Sequence, residues 1–156
     1  MEKKKDLSQY GSFSIPQAAD KKIVVVTAEW NVEITGAMTV ACVDTLVKHG
    51  VKNSNIVQLS APGSFELPFV AKQSILKHKA DAVICIGCII QGETRHFDFI
   101  AQATANGIMQ LALKSNVPVI FGVLTTNNMQ QAIDRAGGKH GNKGVEAAVA
   151  CLKLLK

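Results

Sequence analysis

The sequence predicts a three-layer α/β sandwich built on a four-stranded parallel sheet. Three observations support this fold class: four short apolar runs, the segments of helical period that alternate with them, and the length. A chain of 156 residues suits one domain that buries a core of its own. Apolar strands separated by helices pair in parallel through right-handed crossovers, so we expect helices on both faces of the sheet.

The predicted elements follow one another in a regular order. Residues 1–20 show no periodicity and are expected to form an extended N-terminal arm, which leaves 21–156 as a single folded domain. The predicted strands lie within 21–30, 55–63, 81–90 and 117–126. The predicted helices lie within 31–50, 64–79, 94–115, 127–138 and 141–156. In outline this is a flavodoxin-like fold, and its uncovered sheet edges favour homo-oligomerisation.

Local signals fix several details of these elements. Gly50 is expected to end the first helix, and Pro68 suits the first turn of the second helix, where amides lack intrahelical partners. Ser64 is predicted to cap that second helix. Cys85 and Cys88 form a CxxC pattern, but they lie within a predicted strand and should point to opposite faces. We therefore interpret them as small buried residues, and we expect no metal site.

Composition and charge exclude several classes of protein. Hydrophobic residues make up 47% and charged residues 19%, which is typical of a globular chain, and no apolar run is long enough for a membrane helix. The basic start is followed by no continuous apolar segment, so a cytoplasmic location is expected. The net charge is +5, but no basic stripe is interleaved with aromatic residues. A phosphate-bearing small substrate therefore fits better than nucleic acid.

Polar and aromatic residues follow the predicted strands at their carboxyl ends, where open α/β sheets gather ligands. Trp30, followed by Asn31, is either a flat platform for a planar heterocycle or a hydrophobic plug under a loop. Glu66 is either an acceptor for substrate hydroxyls or a carboxylate stabilised by a helix N-terminus. Phe121 has the same two interpretations as Trp30. Because Phe121 lies within a strand, core packing is favoured for an isolated subunit.

A second set of residues suits anion binding and proton transfer. Gly92, Glu93 and Thr94 lie between the third strand and a helix, where free amides can bind an anion, although the spacing is not that of a P-loop. His96 is either a proton shuttle, because an imidazole has an unperturbed pKa of ~6.5, or a surface or capping histidine. A cationic cluster near the C-terminus either binds phosphate or forms a solvated turn. It consists of Arg135, Lys139, His140 and Lys143.

Five stretches occur in a fixed order: WN after the first strand, PGSFELP, GCIIQGETRHFDFI, FGVLTT and DRAGGKHGNKG. Together they resemble the lumazine synthases of riboflavin biosynthesis, from near residue 10 to the C-terminus. The resemblance implies condensation of 5-amino-6-(D-ribitylamino)uracil with 3,4-dihydroxy-2-butanone 4-phosphate. The implied products are 6,7-dimethyl-8-ribityllumazine, phosphate and water, and no metal or organic cofactor is implied.

The resemblance also implies a role for individual residues. His96 matches the proton-transfer residue of the family. The positions that match contacts to the pyrimidine and ribityl groups are Trp30, Asn31, Ser64, Glu66, Cys88, Ile89, Ile90 and, from a neighbouring subunit, Phe121. The positions that match phosphate contacts are Gly92, Glu93, Thr94 and, again from a neighbour, Arg135. Lys139 and Lys143 match basic residues close to the phosphate.

The resemblance implies an assembly as well. The implied unit is a homopentamer with its sites between adjacent subunits. The short turn in GGKHGNKG resembles that of members that form sixty-subunit icosahedral capsids, so a capsid is predicted, with riboflavin synthase as a candidate cargo.

Two other classes remain open from the residues alone. A flavodoxin or receiver-type binding module would share the fold, but a receiver needs paired acids at strand ends, and the first strand ends in Thr27-Ala28-Glu29-Trp30. A flavodoxin would bind a phosphate-bearing flavin tightly. A shell-forming protein without activity would give no product from the two substrates.

Overall fold

A four-stranded parallel sheet forms the centre of the computed structural model, which describes residues 6–10 and 14–155. Its strands, each built from an apolar run, are β1 (Ile23–Ala28), β2 (Ile56–Ala61), β3 (Ala82–Ile90) and β4 (Val119–Thr126). The strand order is β2–β1–β3–β4, so β2 and β4 are the edges. The order reverses beside β1, and this arrangement leaves a crevice at the carboxyl ends of β1 and β3.

Within the described residues, five α-helices connect the strands and cover the sheet. They are α1 (Val32–Lys48), α2 (Leu67–His78), α3 (His96–Ser115), α4 (Met129–Arg135) and α5 (Lys143–Leu154). Two short 3₁₀ turns, Asn53–Asn55 and Ser64–Glu66, precede β2 and α2. The elements expected from the apolar pattern are therefore present, and the predicted fold class is confirmed.

Side-chain alternation along the central strands divides the core into two apolar clusters. On one face, Val25 packs in a cluster with residues of α1 and α5 such as Met38 and Leu152. On the other face, Val24 packs in a cluster with residues of α2 and α3 such as Leu67 and Ile108. The sheet therefore lies between two helical layers, and burial of both its faces explains why its strands are almost uniformly apolar.

Two predicted helix ends are confirmed. Helix α1 ends at Lys48, and Gly50 then adopts φ +91° while its amide donates to the carbonyl oxygen of Val47 at 3.0 Å. Glycine adopts this left-handed conformation without the steric cost of a Cβ. Pro68 lies in the first turn of α2, where its missing N–H removes no helical hydrogen bond.

Two local predictions are wrong. Ser64 does not cap α2, because it lies inside the 3₁₀ turn and Glu66 occupies the N-cap position without a side-chain hydrogen bond. The helix predicted over 127–138 ends at Arg135, and the chain then forms a short antiparallel hairpin of β5 (Ala136–Gly138) and β6 (Gly141–Asn142). The positive φ angles of Gly137 and Gly141 support this hairpin.

The CxxC residues occupy opposite faces of β3, as predicted: Cys85 lies in the cluster with α2 and α3, and Cys88 in the cluster with α1 and α5. Burial raises the pKa of the Cys85 thiol to about 12 and that of Cys88 to about 11. Across residues 6–10 and 14–155, no group of three or more His, Cys, Asp or Glu side chains is arranged to hold a metal. Within the same ranges, no helix combines the length and apolar character needed to cross a membrane.

Candidate active site

A cleft of about 600 Å³ opens where β1 and β3 end and α3 begins. Most of the residues predicted for the heterocycle site line it, although they are far apart in the sequence. The lining consists of Trp30, Asn31, Gly63, Ser64, Phe65, Glu66, Cys88, Ile89, Ile90, His96 and Ile100. Aromatic, carboxylate and imidazole groups therefore share one concave surface, which is the usual form of a small-molecule site.

The first wall of the cleft carries Trp30, whose side chain is 73% exposed. The interpretation of Trp30 as a plug under a loop is therefore wrong, and a flat apolar surface faces the solvent. Gly63 lies close to it: a Cβ at position 63 would be 3.2 Å from Trp30 Cδ1 and 3.0 Å from Glu66 Oε2. The absence of a side chain at Gly63 therefore allows the indole and the carboxylate to come close to the same point.

Asn31 joins the two walls of the cleft. It adopts a left-handed conformation with φ 59°, and its carbonyl oxygen accepts the amide hydrogens of Ile34 and Thr35 at 2.9 Å and 3.0 Å. Its side-chain Nδ2 donates to the carbonyl oxygen of Cys88 at 2.9 Å. This hydrogen bond links the end of β1 to the end of β3 and fixes the backbone edge along Cys88 and its neighbours.

Ser64 and Glu66 form the floor between these walls. Ser64 is buried, and a Cβ at Gly87 would be 2.5 Å from its Oγ, so the hydroxyl lies directly against β3. The Ser64 carbonyl oxygen accepts a hydrogen bond from Thr104 Oγ1 at 3.2 Å, which ties the 3₁₀ turn to α3. Glu66 is half-buried at the start of α2, so its carboxylate lies on the cleft surface next to the helix N-terminus.

The loop between β3 and α3 is exposed and anchored at both ends. The Gln91 amide donates to the Thr126 carbonyl oxygen at 2.8 Å, and the His96 amide donates to Thr94 Oγ1 at 3.3 Å. A Cβ at Gly92 would meet no atom within 4 Å, so this backbone is open to a molecule approaching from outside the subunit. Residues 92–94 thus present free backbone close to the N-terminus of α3, a suitable place for an anion.

His96 is the first residue of α3 and lies in the first turn, as predicted. Its side chain is exposed and lines the same cleft as Trp30 and Glu66. An imidazole at this point can exchange protons with a molecule that occupies the cleft and also contacts the loop before α3.

Phe121 does not line this cleft, and the expectation that it packs in the core of an isolated subunit is wrong. It lies on the edge strand β4 and is 37% exposed, whereas its strand neighbours Ile120 and Gly122 are buried. Side chains project from the faces of a sheet, and the helices leave this face of the edge strand partly uncovered, so the ring is available for another molecule to cover.

The predicted phosphate-binding cation also lies outside the cleft lining. Arg135 Nη2 lies 2.7 Å from Glu146 Oε1, and Nη1 donates to the His140 carbonyl oxygen at 2.7 Å. Lys143 Nζ lies 3.1 Å from the other carboxylate oxygen of Glu146. The predicted basic residues therefore form an ordered ion-pair network at the β5–β6 hairpin.

The remaining lysine of this set pairs with a different carboxylate. Lys139 Nζ lies 3.1 Å from Asp134 Oδ2. A hydrogen bond from Gln130, at 3.0 Å, together with the charge of Lys139, lowers the pKa of Asp134. Asp134 is thus an anion that holds Lys139 near the hairpin.

Comparison with known proteins places these features in a family. A family model described as 6,7-dimethyl-8-ribityllumazine synthase matches residues 20–156. The chain belongs to this family. A protein of that description from Cytophaga hutchinsonii is 54% identical over 151 residues, which cover 97% of this chain and 94% of that protein. One from Porphyromonas gingivalis is 50% identical over 149 residues, which cover 96% of this chain and 92% of that protein.

Membership of the 6,7-dimethyl-8-ribityllumazine synthase family confirms the resemblance drawn from the five sequence stretches. The family match covers all the residues that line the cleft. A further relative of the same description, from Phocaeicola vulgatus, is 48% identical over 150 residues, which cover 96% of this chain and 89% of that protein.

Three lining residues were not anticipated from the sequence: Gly63, Phe65 and Ile100. Each had a signal. Gly63 and Phe65 flank Ser64 in the stretch PGSFELP, and Ile100 follows His96 by four positions, which places both on one face of α3. Phe65 is 56% exposed and gives the cleft a second aromatic surface.

Proposed function

We propose that this chain condenses 5-amino-6-(D-ribitylamino)uracil with 3,4-dihydroxy-2-butanone 4-phosphate to form 6,7-dimethyl-8-ribityllumazine. The observation that carries the proposal is one cleft, in a member of this family, that brings together Trp30, Glu66 and His96. The catalyst is the domain that begins at residue 21, and part of the arm predicted over 1–20, namely 1–5 and 11–13, lies outside the described residues. It uses no metal or organic cofactor.

The pyrimidine lies on Trp30, and its edge meets the backbone of β3. A planar ring gains dispersion and stacking energy on an exposed indole. Polar atoms of the ring edge pair with backbone groups of Cys88, Ile89 and Ile90, while Asn31 holds this edge in place through its bond to Cys88. The ribityl hydroxyl groups bind the polar groups of Ser64 and Glu66.

The phosphate lies beside the loop formed by Gly92, Glu93 and Thr94. Backbone amides and the positive end of the α3 dipole stabilise its negative charge. Arg135, supplied by an adjacent subunit, adds a guanidinium that binds phosphate through two N–H groups. Lys139 and Lys143 raise the positive potential close to it.

The reaction needs few protein groups because the substrates carry most of the chemistry. The 5-amino group attacks the ketone carbon, and loss of one water gives an imine. Removal of a proton from the adjacent carbon then expels phosphate and leaves an enol, which takes up a proton to become a ketone. The ribityl-bearing nitrogen attacks this ketone, and loss of a second water closes the ring.

His96 is the group placed to move these protons. It lies between the heterocycle surface and the anion loop, which is where the carbon that loses its proton must lie. Departure of phosphate is assisted by the amides and the guanidinium, because they bind the leaving dianion more strongly than the ester. Binding both substrates side by side lowers the entropic barrier.

The proposed active assembly is a homopentamer in which each cleft is completed by an adjacent subunit. Two features support it: Phe121 is exposed on an edge strand, and Arg135 lies outside the cleft of its own subunit. We further propose that the pentamers form a sixty-subunit icosahedral capsid in the cytoplasm, with riboflavin synthase as a candidate cargo. The short hairpin turn between Gly138 and Gly141 supports the capsid.

Product formation tests the activity directly. Purified protein mixed with both substrates should generate lumazine fluorescence and release one phosphate per product. Reactions that lack either substrate should give neither signal. If the complete reaction gives no product above the rate without protein, the proposed activity is wrong.

A single substitution tests the role of His96. We expect His96→Ala to lower kcat on the order of 10²-fold with little change in KM, because it removes proton transfer but leaves both binding surfaces. Turnover should remain measurable. His78→Gln, in the last turn of α2, is the matched control and should retain the full rate. An unchanged kcat in His96→Ala would remove His96 from the mechanism.

A further inference from the structure

The N-terminal segment packs against the hairpin that precedes α5. The Leu7 amide donates to the His140 carbonyl oxygen at 3.3 Å, and Ser8 Oγ lies 2.9 Å from the Asn142 carbonyl oxygen, to which it can donate. The Asn142 amide donates back to Ser8 Oγ at 2.5 Å. The Ser8 amide in turn donates to Asp6 Oδ1 at 2.9 Å, so the segment is ordered by itself as well as by the hairpin.

This segment contacts the two acceptors that hold Arg135. The His140 carbonyl oxygen receives Arg135 Nη1 at 2.7 Å and also the Leu7 amide. Glu146 Oε1 lies 2.7 Å from Arg135 Nη2 and 3.3 Å from Ser8 Oγ. The His140 anchor is therefore shared with residue 7, and the single hydroxyl hydrogen of Ser8 divides between the Glu146 anchor and the neighbouring Asn142 carbonyl oxygen.

The hairpin has a glycine where the segment crosses it. Gly141 has φ +83°, and a Cβ built there would collide with Asp6 Oδ1 and Ser8 Oγ. Any other residue at this position would be strained and would also push the segment away. The segment and the hairpin thus fit together only because the backbone at Gly141 carries no side chain.

We propose that residues Asp6–Ser8 are a positioning element for Arg135, with Ser8 as the positioning residue. The inference rests on the proposed phosphate role of Arg135. A guanidinium has five N–H donors, and the bonds to His140 and Glu146 engage two of them, so others remain for a phosphate. By ordering the two anchors, the segment fixes the direction in which these donors point. A chain's own N-terminal segment therefore tunes a phosphate site that serves the adjacent subunit.

The test is steady-state kinetics of Ser8→Ala in the full-length assembled protein. We expect KM for the phosphate-bearing substrate to rise about three- to tenfold, the effect of losing one or two hydrogen bonds around a charged group. The inhibition constant of inorganic phosphate should rise by the same factor. KM for the pyrimidine should not change, and kcat should fall by no more than the same factor, because the guanidinium also assists the departure of phosphate. Ser54→Ala, which removes an exposed hydroxyl from the Asn53–Asn55 turn, is the control and should change none of these values.

Two further variants distinguish this inference from the proposed function. If Arg135→Ala raises KM for the phosphate-bearing substrate but Ser8→Ala does not, the positioning role is wrong and the phosphate role stands. If Arg135→Ala leaves that KM unchanged, the phosphate role fails and the inference fails with it. In the double variant, Ser8→Ala should add no further rise, because its effect passes through Arg135; an additive rise would overturn the proposal.

Discussion

The exposed indole of Trp30 illustrates how single residues define the candidate site. A tryptophan side chain that is 73% exposed leaves a large apolar surface in contact with water. This exposure does not stabilise the unliganded protein, because burial of apolar surface is what lowers the free energy. The side chain stays accessible because the missing side chain of Gly63 leaves room beside it, and because Asn31 ties the adjoining backbone to β3. The local structure thus presents the ring rather than buries it.

Replacement of Trp30 measures what that surface contributes to binding. We expect Trp30→Ala to raise KM for the pyrimidine substrate by ~10-fold, because stacking area is lost. KM for the phosphate-bearing substrate should stay near its original value. Trp30→Phe keeps an aromatic face and should recover most of the affinity. Equal effects of Ala and Phe on both substrates would rule out stacking as the role of this residue.

The cysteines should be inert as long as the chain is folded. All four are buried, and burial raises the pKa of Cys85 and Cys151 to about 12, raises the pKa of Cys88 to about 11, and raises the pKa of Cys42 further. The thiolate is the reactive form, so almost none is present near pH 8. A thiol reagent at pH 8 should therefore label native protein very slowly and label four thiols in denaturant. Fast native labelling at Cys42 or Cys151 would contradict this burial.

At the scale of elements, the apolar pattern predicts the sandwich well, because every strand of a sheet covered on both faces must be apolar. The β5–β6 hairpin escaped prediction because strands of three and two residues are too short to show alternation. The cap assigned to Ser64 was wrong for a tertiary reason: its hydroxyl packs against Gly87 of β3, a neighbour that local sequence cannot reveal.

The cleft shows the same division between local pattern and tertiary contact. Its position was predictable because parallel strands all end at one edge, which brings Trp30, Glu66 and His96 together. The exposure of Phe121 could not be predicted, because the apolar residues of a central strand and of an edge strand look alike in sequence. The anchoring of Arg135 by Glu146 and His140 depends on the β5–β6 hairpin. Because the hairpin was not predicted, this anchoring was not predicted either.

Two helical glycines provide a matched test of how α1 and α5 pack. A Cβ at Gly144 of α5 would overlap the Met38 carbonyl oxygen of α1, whereas a Cβ at Gly36 of α1 would meet no atom within 4 Å. Gly144→Ala should lower the free energy of unfolding by about 1–3 kcal/mol, because the helices must move apart. Gly36→Ala should raise it by about 0.5–1 kcal/mol, because alanine favours the helix. Urea unfolding at one protein concentration measures the free energy of unfolding of both variants. Similar free energies for Gly144→Ala and Gly36→Ala would refute close packing of α1 against α5.

At the scale of the whole molecule, the described subunit has a cleft without its full set of proposed groups. Phe121 and Arg135, which the reaction would use, lie outside the cleft that contains His96. A single 16.7 kDa chain would therefore lack part of the catalyst, and association would supply it. Sedimentation should give a species of five or sixty times this mass, and a stable monomer with full activity would contradict the assembly.

Mixing two impaired variants tests whether the site is shared between subunits. In an assembly of His96→Ala chains alone, every cleft lacks the imidazole; with Arg135→Ala chains alone, every cleft lacks the guanidinium. When equal amounts are co-refolded, a cleft is intact if an Arg135→Ala chain supplies His96 and its neighbour, a His96→Ala chain, supplies Arg135. Random mixing of a cyclic ring makes about one quarter of the clefts intact, so about one quarter of the wild-type activity should return.

The control for this experiment is each variant refolded with itself, at the same total concentration and with the same sedimentation profile. The mean activity of these two controls is the value expected if the two residues act within one chain. If each cleft were formed by one chain, every cleft would carry one of the two substitutions whatever its neighbours. The activity of the mixture would then be only the average of the activities of the two variants. Recovery well above that average requires a neighbour to complete the cleft, because only an interface can combine the intact halves of two different chains.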